Sequence, residues 1–309
     1  MAHIQRLLGD RPIKTLTPLD IQNVYTQLLD EGKAPATVRH VRVIIHGAFQ
    51  DAVTWDLVSK DPARGTKAPK PSRPVLKIPT VEEARTFLQT AESHRLYALW
   101  AFLAMTGCRR GEALALQWSD IDWDRRVVTI QRTQSGWGTK RVANPPKTPS
   151  GRRVVALSDY VLEVLGKHRE EQNIEQGAAG SEWNDGGWVF TTRHGTWLAG
   201  GHVYDSFKRL AEQAGLPDTV RPHDLRHAMA SYWLAKGIPV KVVSERLGHA
   251  NIAITLEIYG HLLPNMQADA AEKMDALFFE SEPKRAADGP QKLSKTSKHR
   301  GTIRGAGCE

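Results

Sequence analysis

"RPHDLRHAMASYWLAKG", residues 221–237, is the segment from which both fold and site are most readily inferred. Pro222 near its start and Gly237 at its end predict a helix between them. His223 and Arg226 are three residues apart, so they share a face of that helix. Both side chains donate hydrogen bonds to anions, and a helix N-terminus itself favours an anion. The segment predicts either an anion site or, as the structural alternative, a capped helix with a buried ion pair.

A metal site is the third interpretation of this segment, because His223 and His227 have the four-residue spacing of zinc ligands on a helix. The glutamate of the H-E-x-x-H pattern is missing, and no third ligand stands at the expected spacing. Cys108 and Cys308 are the two cysteines of the chain, too few for a disulfide framework or a cysteine-rich metal site. We therefore expect no metal and no cofactor.

Downstream, "LGHANIAITLEIYGH" covers residues 247–261. Gly248 is predicted to end one helix, His249 to lie in the turn, and Asn251 to cap the next helix. Tyr259 falls among the apolar residues of that next helix. Taken alone, a satisfied histidine and a core tyrosine are the ordinary interpretations of this segment.

Upstream, "TGCRRGEALALQW" covers residues 106–118. Gly107 is predicted to end one helix, and a second helix is predicted over 109–118. Arg109 and Arg110 both stand near the start of this second helix, where a cation can face solvent. Their chemistry alone does not choose between them.

Two β-rich runs, residues 125–132 and 152–157, predict a small antiparallel sheet. The stretch between them, 135–151, is rich in glycine and proline and contains Lys147 in a predicted turn. Further along the chain, helices are predicted over 159–172 and 201–214, a loop over 172–187 and a short strand over 188–192.

The chain as a whole is predicted to be mainly α with a small antiparallel β-sheet, with an α+β second domain preceded by a helical first domain. Thr17 and Pro18 open the first strongly predicted helix, and Thr80 with Glu83 forms a capping box at the start of the second domain. We predict a helical first domain over 1–70, a basic proline-rich linker over 71–79, a second domain over 80–265, a C-terminal helix over 266–280 and a disordered basic tail over 281–309.

The charge and apolar content of the chain indicate which class of partner it binds and where in the cell it is located. The 309 residues include 42 Lys and Arg against 34 Asp and Glu, a net charge of +8 that favours a polyanion such as nucleic acid. No segment approaches the run of about 18 apolar residues that spans a membrane. The first ten residues lack the apolar run of a signal peptide. We expect no membrane association and a cytoplasmic location.

Taken in chain order, "TGCRRGE", "PPKTPSGRRVVAL", "HDLRH" and "LGHANIAITLEIYGH" resemble the tyrosine recombinase, or phage integrase, family over about residues 15–265. The resemblance selects Arg109 over Arg110, because the family's arginine follows "TG" and one apolar residue. Cys108 stands where the family usually has a leucine. Glu112 matches a family acid and is expected to orient the site from behind. The functional residues that the resemblance implies are Arg109, Lys147, His223, Arg226, His249 and Tyr259.

The resemblance implies metal- and ATP-independent cleavage and rejoining of DNA, by integration or excision of a mobile element. Tyr259 attacks the scissile phosphorus, a 3′-phosphotyrosine forms, and the 5′-hydroxyl leaves with a proton from Lys147. A second strand's 5′-hydroxyl then reverses the ester. Arg109, Arg226 and His249 hold the phosphate, and His223 either takes the tyrosine proton or also holds the phosphate.

The implied partners are double-stranded DNA, three further copies in a homo-tetramer on two DNA sites, and an accessory directionality factor, at a nucleoid-associated location. DNA contacts are expected from basic residues of the first domain and linker, for which a solvated surface is the alternative: Arg39, Arg42, Lys67, Lys70 and Arg73. The resemblance implies that 1–70 is a core-type DNA-binding domain and 80–265 the catalytic domain. Many relatives have a separate arm-site-binding domain and a longer first helix of the core-binding domain. This chain starts almost inside the core-binding domain, a difference expected to bear on full integration. The competing interpretations are a type IB topoisomerase and a DNA-binding module that has lost catalysis.

Overall fold

The computed structural model describes residues 2–70, 78–136, 140–146, 148–260 and 266–279. The chain divides into two compact units, Met1–Lys77 and Ile78–Glu309. Three features of the sequence lie outside the described residues: Lys147, Arg73 and the predicted tail over 281–309.

The described residues of the first unit form three α-helices, α1 (Ala2–Leu8), α2 (Pro18–Asp30) and α3 (Pro35–Thr54). The predicted cap of α2 is confirmed: the Thr17 hydroxyl accepts from the Asp20 amide at 3.2 Å, and the Asp20 carboxylate accepts from the Thr17 amide at 2.8 Å. Apolar residues spaced at helical period form its core: Ile21, Val24, Tyr25, Leu28, Val38, Val41, Ile45 and Phe49.

The chain beyond α3 continues to pack on this unit. Ala63 is completely buried in the same core. The Gln22 side chain holds the backbone of Lys67 from both sides, accepting from its amide at 2.9 Å and donating to its carbonyl at 3.2 Å. These contacts fix the backbone as far as Lys67.

The second unit is mainly helical around a small sheet. Thr80 and Glu83 form the predicted capping box at its first helix. Its helices are α4 (Val81–Thr90), α5 (Tyr97–Thr106), α6 (Arg110–Ala113), α7 (Asp159–Ala179), α8 (Gly200–Gln213), α9 (Pro222–Ala235), α10 (Val240–Leu247), α11 (Ile252–Tyr259) and α12 (Met266–Phe279). Helix α5 is buried along nearly its whole length and forms the centre of the core.

The sheet has three strands in the order β1 (Ile121–Asp122), β2 (Val127–Ile130) and β5 (Arg153–Ala156), all antiparallel. Two further strands, β3 (Thr133–Ser135) and β4 (Val142–Asn144), form a separate hairpin. The predicted fold class, mainly α with a small antiparallel sheet, is confirmed.

Three predictions for the second unit were wrong in extent. The helix predicted over 109–118 is only the four residues of α6, because the chain then turns to pair Gln117 with Trp188. Helix α7 continues to Ala179 through the predicted loop, because buried Gln172 donates to the Val189 carbonyl at 3.0 Å and so anchors this part of the helix. The strand predicted over 188–192 makes only isolated bridges among the described residues.

Among the residues that the structure describes, no helix is both long and apolar enough to cross a membrane.

Candidate active site

Arg226 lies in the first turns of α9 and is almost completely buried. It donates to two backbone carbonyls, that of Gly107 at 2.6 Å and that of Leu247 at 2.6 Å. Burial lowers the pKa of its guanidinium to about 10, and the charge of Arg109 adds to this effect. Arg226 therefore ties the end of α5 to the end of α10, and its charge is not neutralised by a carboxylate at hydrogen-bond distance in the described chain.

Arg109 immediately precedes α6 and remains partly exposed. Gly107, in the left-handed region at φ 67°, ends α5 and turns the chain toward it. The Arg109 guanidinium donates to Glu112 Oε1 at 2.8 Å and to the Gly248 carbonyl at 3.1 Å. Glu112 thus contacts Arg109 and helps to orient it, as expected. Arg109 binds the carbonyl of Gly248, the residue that follows the Leu247 bound by Arg226.

Arg153, on β5, is a buried member of this cluster that the sequence did not reveal. It donates to Glu112 Oε2 at 2.8 Å and Oε1 at 3.2 Å, and to the Arg246 carbonyl at 2.6 Å. Strand alternation was the available signal, because Arg153 shares a face of β5 with the fully buried Val155.

The carboxyl of Glu112 is buried between the two arginines. Burial alone would raise its pKa, but the hydrogen bonds and charge of Arg153, and the bonds from Arg109, outweigh it and hold that pKa below its ordinary value. Glu112 is therefore ionised at neutral pH and holds both guanidiniums in place.

His249 lies in the turn between α10 and α11, directly after Gly248, which has φ 65°. Its Nδ1 is 2.8 Å from the Thr255 hydroxyl, a hydrogen bond that fixes the ring. Burial, followed by the charges of Arg226 and Arg109, lowers the pKa of His249 to about 4. The imidazole is neutral at neutral pH in the free protein.

Tyr259 ends α11 and is completely buried. It belongs to a small core formed with Ala230, Leu234, Val243 and Leu247. Its hydroxyl is 2.6 Å from Nδ1 of His227. Burial raises the pKa of this phenol to about 12, although the charge of Arg226 opposes the shift.

His223 is the most exposed of the predicted site residues on α9. Its ring meets that of His227 edge to face, with ring centres 4.8 Å apart. Removal of water from the ring, followed by the proximity of His227 and Arg226, lowers its pKa to about 4. The described contacts therefore place His223, His227 and Tyr259 in a row along one side of α9.

The structure thus brings together five of the six residues expected to be catalytic: Arg109, His223, Arg226, His249 and Tyr259. Lys147 lies outside the described residues, between Pro146 and Thr148. No cluster of three or more His, Cys, Asp or Glu residues that could hold a metal ion occurs in the described part of the chain.

The residues expected to contact DNA are all in the first unit. Arg39, Lys67 and Lys70 are exposed, whereas Arg42 is half-buried and lowers the pKa of Tyr25 by its charge, against the larger effect of burial. Arg73 is outside the described residues.

Residues 78–266 match the model of the phage integrase family. The chain is 32% identical over 285 residues to a tyrosine recombinase XerC-like protein of Caldanaerobacter subterraneus, covering 86% of this chain and 73% of that protein. This chain belongs to the phage integrase family of tyrosine recombinases. It is therefore a member of a family of site-specific enzymes that cleave and rejoin DNA.

A further relative and two solved structures are also similar to this chain. The ICEBs1 integrase of Bacillus subtilis is 25% identical, with 89% of this chain and 75% of the relative covered. The Tn1549 transposon integrase in complex with transposon right end DNA has a similar fold, with a TM-score of 0.72 at 20% identity over 89% of this chain and 91% of that one. Lambda integrase residues 75–356, bound as a dimer to a core site, superimpose with a TM-score of 0.58 at 22% identity, covering 84% of each chain.

Proposed function

We propose that this integrase breaks and rejoins DNA through a 3′-phosphotyrosine at Tyr259, and that its reaction integrates or excises a mobile element. One observation carries the assignment of the site. Three consecutive residues, 247–249, bring the groups together: Arg226 binds the Leu247 carbonyl, Arg109 binds the Gly248 carbonyl, and the next residue is His249. Two guanidiniums and an imidazole thus converge on one turn.

This cluster suits a phosphate in its transition state. Each guanidinium has more N–H donors than its contacts with the protein use, so both can grip non-bridging oxygens. The carboxylate of Glu112 neutralises only part of the charge of Arg109 and Arg153. Losing one such donor is expected to cost on the order of 10²–10³ in rate.

Lys147 is the proposed general acid for the departing 5′-oxygen. Neighbouring cations would lower the pKa of a lysine toward a value useful for proton transfer at neutral pH. A phosphate bound by the arginines would in turn favour the protonated forms of His249 and His223, whose pKa values of about 4 make them neutral donors in the free protein.

The buried position of Tyr259 implies a rearrangement before attack. A DNA phosphate cannot touch a side chain with no exposed surface, so α11 must shift before the tyrosine oxygen can reach phosphorus. The free protein is then a resting state, in which the nucleophile is protonated and shielded.

DNA is the proposed substrate of both units, with Arg39, Arg42, Lys67, Lys70 and Arg73 as contacts to phosphates. The basic charge of the chain and the DNA complexes of similar integrases support this. We also propose assembly as a homo-tetramer on two sites, an accessory directionality factor, and a nucleoid-associated location.

The test is a nicked suicide duplex, drawn from the element's own ends, incubated with the protein in EDTA. We expect a DNA-linked band on a denaturing gel for the wild type and none for Tyr259→Phe, with both proteins shifting the duplex on a native gel. Binding without an adduct in the wild type would identify a DNA-binding module without catalysis. Relaxation of supercoils without exchange of labelled strands would identify topoisomerase activity instead.

A further inference from the structure

His227 makes the hydrogen bond to the proposed nucleophile. Its Nδ1 lies 2.6 Å from the Tyr259 hydroxyl, and the two rings are tilted with centres 5.7 Å apart. The sequence singled out His227 only as a possible zinc ligand, a role that the described residues around it do not support.

The other two histidines of the site are placed for different roles. Nδ1 of His249 is engaged by the Thr255 hydroxyl, and that ring adjoins the turn held by the two arginines. His223 makes its described ring contact with His227, at 4.8 Å between centres, rather than with the tyrosine. His227 therefore lies next to the proposed nucleophile, whereas His249 lies next to the turn that Arg109 and Arg226 hold.

The His227 ring can accept a proton at neutral pH. Burial, assisted by the charge of Arg226 and opposed by Asp224, lowers its pKa, so the ring is a neutral imidazole. A neutral ring has one nitrogen free to accept, and in the tautomer protonated at Nε2 it is Nδ1, 2.6 Å from the buried hydroxyl, that accepts from Tyr259.

We propose that His227 is the general base that removes the phenol proton of Tyr259 during strand cleavage and returns it during rejoining. This inference rests on the proposed function. The O–H bond of Tyr259 breaks as an N–H bond forms on His227, the tyrosine oxygen bonds to phosphorus, and the bond from phosphorus to the 5′-oxygen breaks. The leaving oxygen takes its proton from the general acid, proposed above to be Lys147.

The assignment also has a requirement after α11 moves. His227 follows Arg226 directly on α9, and Arg226 is the buried cation proposed to hold the phosphate. The proposal requires that a tyrosine oxygen attacking a phosphate held by Arg226 stay within one hydrogen bond, or one bridging water, of His227. Helix α9 is also held through Arg226 by the ends of α5 and α10, and these two contacts do not involve α11.

The experiment measures the rate of adduct formation on two suicide duplexes, one natural and one with sulfur replacing the bridging 5′-oxygen. A thiolate leaves without a general acid, so the sulfur substrate should restore the rate of a Lys147→Ala variant. His227→Phe should instead be slowed by about 10²–10⁴ on both substrates, because the phenol still has to lose its proton.

Two further variants protect the test against a folding defect. The Asn carbonyl of His227→Asn can stand where Nδ1 stands, whereas the longer His227→Gln places its carbonyl near the position of Nε2. Neither amide can take a proton, so both variants should be slowed by about 10²–10⁴ at unchanged thermal stability and DNA affinity, although His227→Asn keeps a hydrogen bond to the Tyr259 hydroxyl. His194→Asn, which removes an exposed ring paired with Glu182 at 3.6 Å, should match the wild type.

Three results would overturn the proposal: a wild-type rate for His227→Phe, a wild-type rate for His227→Asn, or rescue of His227→Phe by the sulfur substrate. The last would place His227 on the leaving-group side. Failure of the proposed function itself is distinguishable, since the wild type would then form no Tyr259-dependent adduct on either duplex.

Discussion

At the scale of single residues, the buried ion pair of Arg153 and Glu112 fixes the position of Arg109. Arg153 links β5 to Glu112 and to the Arg246 carbonyl at the end of α10, and Glu112 passes this constraint to Arg109. A buried pair of this kind is costly to break, because the remaining charge stays in a medium that solvates it poorly.

Arg153→Met is therefore expected to lower the free energy of unfolding of the second unit by about 3–5 kcal/mol. Adding Glu112→Gln should recover part of this loss by removing the stranded charge. Urea denaturation followed by tryptophan fluorescence measures both.

Arg126→Met is the control. Its ion pair with Asp159 has both side chains more than half exposed, and its loss should cost at most about 1 kcal/mol. Equal losses for Arg153→Met and Arg126→Met would contradict the buried role.

At the scale of elements, α11 is weakly held. Of its eight residues, only Thr255 and Tyr259 are buried. Its apolar side chains Ile252, Ile254 and Leu256 remain 42%, 37% and 45% exposed. By contrast, α5 buries eight of its ten residues. A helix with so little buried apolar surface opens locally at a low free energy, which is what release of the nucleophile requires.

Amide hydrogen exchange should accordingly be faster in α11 than in α5, by about 10²-fold or more. Asn251→Ala removes the side chain that accepts from the Ala253 amide at 2.9 Å, a cap worth about 1 kcal/mol, so exchange in α11 should rise roughly fivefold further. Ser158→Ala, the equivalent loss at the start of α7, should leave α11 unchanged. Similar protection of α11 and α5 would argue against local opening.

At the scale of the whole molecule, the net positive charge of the chain favours binding to the negatively charged DNA backbone. With a net charge of +8, binding should weaken steeply as salt rises, because each phosphate contact releases counterions. The first unit is expected to contribute to this binding, because Lys67 has its backbone fixed by Gln22 and its side chain exposed.

Lys67→Gln should reduce the slope of log K against log salt by about 1, with a similar loss of affinity for every DNA sequence. Fluorescence anisotropy with a labelled duplex, over a range of salt concentrations, measures the slope. The control is Lys167→Gln, in the second unit, whose amine pairs with Glu163 at 2.7 Å and should not affect binding. An unchanged slope for Lys67→Gln would remove this residue from the DNA contacts.

The helices could largely be predicted from local sequence, because their signals depend on neighbours within four residues. The caps at Thr17, Thr80 and Asn251 all form as expected. The element limits that failed, at the ends of α6 and α7, are set by distant partners such as Trp188 and Val189. No local pattern reports such partners.

The order of the motifs was enough to indicate the family and to predict the residues of the site, and the helical periodicity was enough to predict the fold class, since both signals lie within the sequence itself. The folded chain was needed to show that Tyr259 is buried, that His227 holds its hydroxyl, and that Arg153 supports Glu112. The last two contacts join residues 32 and 41 positions apart. Burial and hydrogen bonding across such separations come from packing of whole elements, so periodicity and spacing could not specify them.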